Sequence, residues 1–234
     1  MLLLFDIDGT LVRGASGAHA AALCQALKNV HGVDVKGVKL AGSAAGRTDG
    51  EIARMYLLEA GVSAERIDAH AADVRDECCR IYATDCPADL TSTVIPGIPR
   101  LLESLSADGR FELSLVTGNF QAVARVKLRA AGLARWFPAG QGGFGSDSED
   151  RAALPPIARR RAGERAGLGH SWPRASTLVI GDTPRDIACA HADGLRCIAV
   201  TTGPHPRGDL ERADAIAEES SALLAAIESL TAQL

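Results

Sequence analysis

The chain carries little excess of charge of either sign: 25 Lys and Arg stand against 29 Asp and Glu, a formal net charge of −4 over 234 residues. Phosphate backbones reward basic faces, so a mildly acidic chain is a poor candidate for nucleic-acid binding. Its one strong basic cluster, Arg159-Arg160-Arg161, falls in a helical pattern and reads as a solvated face. Paired Cys-x-x-Cys spacing is missing. The six cysteines, at 24, 78, 79, 86, 189 and 197, form no small disulfide framework. Cys78, Cys79 and Cys86 near His70 are therefore expected to be plain thiols and not a zinc site. Long apolar runs are missing as well. Met1-Leu2-Leu3-Leu4-Phe5 has no basic flank and Asp6 interrupts it, which argues against a signal peptide or a membrane span and makes the cytoplasm the expected compartment.

What is present is the composition of a globular chain with a sizeable core: 47% hydrophobic and 23% charged residues. Leu2 to Phe5 is a short continuous apolar run, as in a strand buried on both faces. Similar runs occur at Phe111 to Val116, Thr177 to Ile180 and Cys197 to Val200, with a weaker one around Gly142 to Phe144. Helical patterns separate them, at Ile98 to Leu105, Phe120 to Ala131, Arg151 to Ala166 and Pro184 to Ala192. This alternation predicts an α/β fold with a doubly wound parallel sheet. One connection is far too long, because a parallel crossover needs only a dozen or so residues. Residues 15–90 carry helical periodicity at His19 to Val30, Glu51 to Ala60 and Ser63 to Tyr82. They are expected to form a small helical domain inserted into a core of residues 1–14 and 91–234.

Three polar motifs stand at the C-terminal ends of these strands: Asp6-Ile7-Asp8-Gly9-Thr10, Thr117-Gly118-Asn119, and Gly181-Asp182-Thr183-Pro184-Arg185-Asp186. In open α/β sheets that edge is where ligands bind. Asp6, Asp8, Asp182 and Asp186 would bring four carboxylates together there. Two unit charges about 4 Å apart repel by roughly 4 kcal/mol at an effective dielectric near 20, so such a cluster calls for a cation. Oxygen-only ligands favour Mg2+ over zinc. Glycines beside the acids allow close backbone approach, while Thr10 and Thr117 offer donors to an oxyanion. A metal beside anion donors describes a phosphate site.

These motifs resemble the first, second and fourth motifs of haloacid dehalogenase-like (HAD) phosphatases, in order and in strand position. The resemblance covers nearly the whole chain and is strongest for the phosphoglycolate phosphatase / β-phosphoglucomutase branch, whose small helical cap is inserted at this point. It implies that Asp6 is a nucleophile forming an aspartyl-phosphate and that Asp8 is the acid and base, with a pKa raised by crowded like charges. Magnesium would be held by Asp6, the Asp8 backbone carbonyl, Asp182 and Asp186. Thr117 with the amides of Gly118 and Asn119, and Thr10, would bind the phosphoryl oxygens. The third motif departs from the pattern, because no lysine follows Lys127; Arg151 is the best positional match for the basic residue. Lys127 itself, in an amphipathic helix, is expected to face solvent.

Asp8 argues against dehalogenation, which needs no acid. Phosphonate cleavage would need an activated cap lysine, and nothing marks Lys28, Lys36 or Lys39 as one. The remaining alternatives are a β-phosphoglucomutase-like mutase and a non-catalytic phosphate- or partner-binding module; the latter is expected to lack Asp6 or Asp8. The expected substrate is a small anionic phosphorylated metabolite such as phosphoglycolate or a sugar phosphate. Arg47, in the cap turn Gly46-Arg47-Thr48-Asp49, is a candidate to meet its leaving group, and Thr48 or Asp49 a candidate helix cap. His19 and His31 are expected to do no central chemistry, and His191 to favour its helix C-terminus. A monomer or homodimer is expected.

Overall fold

The computed structural model describes residues 1–15, 17–38, 40 and 42–232. Lys39 lies outside them. Among the described residues six strands form one parallel sheet: β1 (Leu2–Phe5), β2 (Glu112–Thr117), β3 (Gly143–Phe144), β4 (Thr177–Gly181), β5 (Arg196–Val200) and β6 (Ala215–Ala217). Their spatial order is β3-β2-β1-β4-β5-β6. Every ladder is parallel, with Phe5 facing Leu115 on one side and Ile180 on the other. The order reverses between β1 and β4, so the crevice where a doubly wound sheet binds ligands opens just beyond Phe5 and Gly181.

Alternating side chains divide the core between the two faces of this sheet. Leu3, Phe5, Leu113, Leu115, Leu178 and Ile180 pack on one side with α4 (Ile98–Ala107), α5 (Gln121–Ala130) and the C-terminal α8 (Ser220–Thr231). Leu2, Leu4, Val116, Val179 and Cys197 pack on the other with α6 (Leu154–Arg165) and α7 (Pro184–Ala192). Because both faces are covered, the strands read as unbroken apolar runs. Each fully buried Leu or Phe contributes about 1.5–3 kcal/mol. The short edge strand β6 and the helix α8 go beyond the elements that periodicity predicts; three residues are too few to display a period.

Between β1 and β2, ahead of α4, lie α1 (Gly17–His31), α2 (Asp49–Glu59) and α3 (Ala64–Asp85). Thr48 caps α2 by accepting from the Glu51 amide, and Ser63 caps α3 by accepting from the Arg66 amide. Leu23, Leu27, Leu57, Ile67, Val74 and Tyr82 bury a hydrophobic centre that also takes Phe120 and Val123 from α5 and the turn before it. These three helices, the cap, thus pack against α5 and the turn before it.

The arginine cluster departs from its expected solvated face. Arg159 is buried, with Nε 2.7 Å from Asp193 Oδ2 and Nη1 donating to the Trp172 carbonyl. Arg161 pairs with Asp147, and only Arg160 lies in solvent, beside Glu164. Helical spacing turns successive residues by about 100°, so three adjacent arginines cannot share one face.

Candidate active site

The first motif leaves β1 in a tight turn. Gly9 has φ 90°, and a Cβ there would collide with the Asp182 carboxylate, so the turn and the acid it presses against require glycine. Asp6 is buried immediately after β1, and Asp182 immediately after β4. Asp186 is buried in the first turn of α7, where it closes a capping box with Thr183, accepting from the Thr183 amide and hydroxyl. One carboxylate oxygen from each of Asp6, Asp182 and Asp186 lies within 4.8 Å of the others. No comparable group of His, Cys, Asp and Glu occurs around Cys78, Cys79, Cys86 and His70 among the described residues.

Arg151 enters this cluster from the turn that precedes α6. Its Nη2 lies 3.1 Å from Asp6 Oδ1 and 2.5 Å from Asp186 Oδ1, and the side chain is buried. One cation therefore faces three acids. Burial, then the charges of Asp186 and Asp8, push the Asp6 carboxyl up to about 7 despite Arg151. Burial, then Asp6 and Asp186, push Asp182 up to about 8. Thr10 donates to Asp182 Oδ1 at 3.0 Å, while Asp182 Oδ2 is buried with no partner. A crowded set of buried oxygens with one atom left unsatisfied could hold an oxygen-coordinated cation.

Asp8 departs from its expected environment. Its carboxylate turns away from the acidic cluster toward Lys127, whose Nζ lies 2.8 and 2.7 Å from the two oxygens. Asn119 Nδ2 donates a third hydrogen bond at 2.9 Å, and Lys127 also donates to Asn119 Oδ1 at 2.8 Å. Burial raises the Asp8 pKa, but the Lys127 charge and these hydrogen bonds outweigh it, so the group lies below the ordinary carboxylate range instead of above it. Lys127 is 0% exposed, the reverse of the solvent-facing side chain expected of it. A signal is present in the sequence: Val123, Ala124, Lys127, Leu128 and Ala131 follow the stripe of an inward helix face, and Lys127 sits on it.

Thr117, fully buried, ends β2 beside this group, and Gly118 follows it. Gly118 has no room for a side chain, because a Cβ would meet the Arg47 carbonyl oxygen of the cap. The cap also docks through Asp49, whose amide donates to the Gly118 carbonyl at 2.8 Å. The Asp49 carboxylate accepts from the Phe120 amide at 2.7 Å and pairs with His19 Nε2 at 3.0 Å. His19 and Asp49 thus join α1, α2 and the start of α5, a role that spacing along the sequence does not assign them. The Arg47 guanidinium is taken up within the cap by the Ser43 carbonyl and Glu51. Between cap and core lies a cavity of about 680 Å³ lined by Asp6, Asp8, Thr117, Asn119, Arg151 and Asp182, with Leu23, Ile52 and Tyr56 on the cap side.

Residues 1–194 match the family model of the haloacid dehalogenase-like hydrolases. The chain belongs to that family. Among its curated HAD relatives is a phosphoglycolate phosphatase of Cereibacter sphaeroides, 31% identical over 202 residues that cover 86% of this chain and 85% of that one. A probable phosphatase, IndB, of Dickeya dadantii is 27% identical over 216 residues, covering 91% and 86% of the two chains. The fold is also that of a predicted phosphatase from Clostridium acetobutylicum, with TM-score 0.67, 21% identity and coverage of 97% and 98%. A β-phosphoglucomutase from Clostridium difficile matches with TM-score 0.65, 15% identity and coverage of 99% and 97%.

Proposed function

We propose that the chain is a magnesium-dependent phosphatase of small phosphorylated metabolites, acting through an aspartyl-phosphate on Asp6. The observation that carries this reading is the meeting of the Asp6, Asp182 and Asp186 carboxylates with Arg151 beneath the cap cavity. The bare Asp182 oxygen and the all-oxygen donor set fit Mg2+, which Asp6, Asp182 and the Asp8 backbone carbonyl would hold. Asp186, with Arg151 on one oxygen and Thr183 on the other, would steady the site from behind. When bound, the cation neutralises charge on the phosphoryl oxygens and on the attacking carboxylate.

In the first step an Asp6 oxygen bonds to phosphorus as the ester P–O bond breaks, and Asp8, which the anionic substrate must first raise from its low value in the free protein so that it binds a proton, gives that proton to the leaving oxygen. In the second, Asp8 takes a proton from water, the water oxygen bonds to phosphorus, and Asp6 is released with inorganic phosphate. Arg151 balances charge at Asp6 throughout, where a lysine is more usual. Thr117 and the Gly118 and Asn119 amides orient the phosphoryl oxygens. Thr10, whose hydroxyl is engaged with Asp182, would serve through its amide or by steadying that acid.

The cap that would choose the substrate comprises residues 15–90, and the core comprises residues 1–14 and 91–234. Phosphoglycolate is a leading substrate, supported by the name of the Cereibacter relative. A cavity of about 680 Å³ also has room for a sugar phosphate. Arg47 would have to leave Glu51 to meet an anionic leaving group. Among the described residues no helix is long and apolar enough to cross a membrane, and all six cysteines are free thiols, which supports a reducing compartment such as the cytoplasm.

The test is hydrolysis of p-nitrophenyl phosphate and a metabolite panel, with and without Mg2+. Wild-type protein should release phosphate only with the metal, and Asp6→Asn should lower turnover at least ~10³-fold, an order-of-magnitude expectation for losing a nucleophile. Turnover that survives Asp6→Asn would sink the covalent route. Isomerisation of a sugar 1-phosphate without phosphate release would replace the phosphatase by a mutase.

A further inference from the structure

We infer that Lys127 is a positioning residue for proton transfer, holding the Asp8 carboxyl in the orientation that both half-reactions require. The inference rests on the phosphatase reading and adds to it a residue outside the family motifs.

Lys127 projects from the buried stripe of α5, and its ammonium is sealed from solvent. Its three hydrogen-bond partners within 2.8 Å are the two Asp8 oxygens and the Asn119 side-chain oxygen. Ordering a buried ammonium is unfavourable unless such partners satisfy it, so the site is specified as a unit. Asn119 completes a ring by donating to Asp8 while accepting from Lys127. The neighbouring acids explain why such a device is needed. Asp6 and Asp182 stand close by and Arg151 is occupied with Asp6 and Asp186, so Asp8 depends on Lys127 for a cation. With Lys127 absent, Asp8 would be free to turn toward the acidic cluster or the cavity. Lys127 does not line the cavity between cap and core; it acts through Asp8.

The consequence is a dependence on the leaving group. In the first step a p-nitrophenolate departs without a proton, whereas an alkoxide must receive one from Asp8. The quantity kcat/KM reports that step alone, while kcat also includes hydrolysis of the phospho-enzyme, for which Asp8 must take a proton from water. Lys127→Met should therefore lower kcat/KM for an alkyl phosphate by about 100-fold, within the range for general acid catalysis. It should lower kcat/KM for p-nitrophenyl phosphate less than about 5-fold, and rapid mixing should reveal a burst of about one nitrophenolate per enzyme. The ratio of the two kcat/KM values does not depend on how much of the preparation is folded. Lys127→Gln, which keeps a buried donor, is read by the same ratio if the methionine variant does not fold. Equal losses on both esters, or none, overturn the assignment. A wild-type protein inactive on both esters overturns the phosphatase reading instead.

Discussion

At the scale of single residues, three buried acids share one buried arginine, and their titration couples the site to the stability of the protein. The Asp6 and Asp182 carboxyls ordinarily titrate at 3.8, and the fold raises them to about 7 and about 8. Between those limits the folded state holds more protons than the unfolded state, so stability falls as pH rises through this window. Their contribution is least unfavourable below the unfolded value, where both states are protonated. Metal-free protein should therefore lose several degrees of Tm from this cluster between pH 5 and pH 8 in calorimetry. Asp6→Asn should flatten the slope and stabilise the metal-free protein at pH 8 by about 1–3 kcal/mol, because each tenfold change in proton affinity is worth about 1.4 kcal/mol. Mg2+ should counter the loss, since carboxylates bind it deprotonated and its affinity increases as those protons leave. A wild-type Tm that climbs over this range, with no difference in Asp6→Asn, contradicts the account.

At the scale of elements, helices present more than one environment within a few residues. On α6, Arg159 Nε and Nη2 grip the Asp193 carboxylate at 2.7 and 3.1 Å, holding α6 against the end of α7. Arg160 shares an exposed pair with Glu164. Removing one partner of a buried ion pair costs about 3–5 kcal/mol when it leaves an uncompensated charge, and exposed pairs contribute about 0–1 kcal/mol. Arg174 Nε also reaches Asp193 Oδ1 at 3.0 Å, so the loss of Arg159 falls toward the lower end of the buried range. Urea unfolding should thus show Arg159→Met strongly destabilised and Arg160→Ala within about 0.5 kcal/mol of wild type. Similar losses in both variants would remove the distinction. The helices between β1 and β2 and, α8 excepted, those of the core were legible because each carries a 3.6-residue period, and several of their caps are marked by Thr or Ser. The partner of a buried charged residue was not legible. Lys127 shares its stripe with Val123, Ala124 and Leu128, but periodicity identifies a buried face without naming Asp8, 119 positions away.

At the scale of the whole molecule, the cap is joined to the core at the C-terminal edge of the sheet. The Asp49 amide reaches the Gly118 carbonyl, the Phe120 amide reaches the Asp49 carboxylate, and Gly118 lies directly under the Arg47 carbonyl. What position 118 requires is the absence of a side chain, since the obstacle is cap backbone. Gly118→Ala should lift the segment 45–49 from the core and lower kcat/KM at least tenfold, because a displacement near ~1 Å already disturbs a reactive arrangement. Hydrogen exchange should accelerate at the first turn of α2 while the amides of β1 and β4 keep their protection. Unchanged exchange at α2 together with unchanged kinetics would show that this contact does not govern docking.

By itself the sequence determined the strand ends, the helical periods between β1 and β2, and the places of the acids of the first and fourth motifs beside those strand ends. Each is a local pattern: an unbroken apolar run, a helical period, or a turn with glycine beside an acid. Strand pairing then brings Asp6 and Asp182 together, because β1 and β4 are neighbours in a parallel register. Only the tertiary structure decided how the charges around them are divided. Arg151 joins Asp6 to Asp186, Lys127 takes Asp8 away from that cluster, and Arg47 is tied to Glu51. Charge pairing depends on distances between residues far apart in the chain and on their shared exclusion from water, neither of which spacing along a sequence encodes.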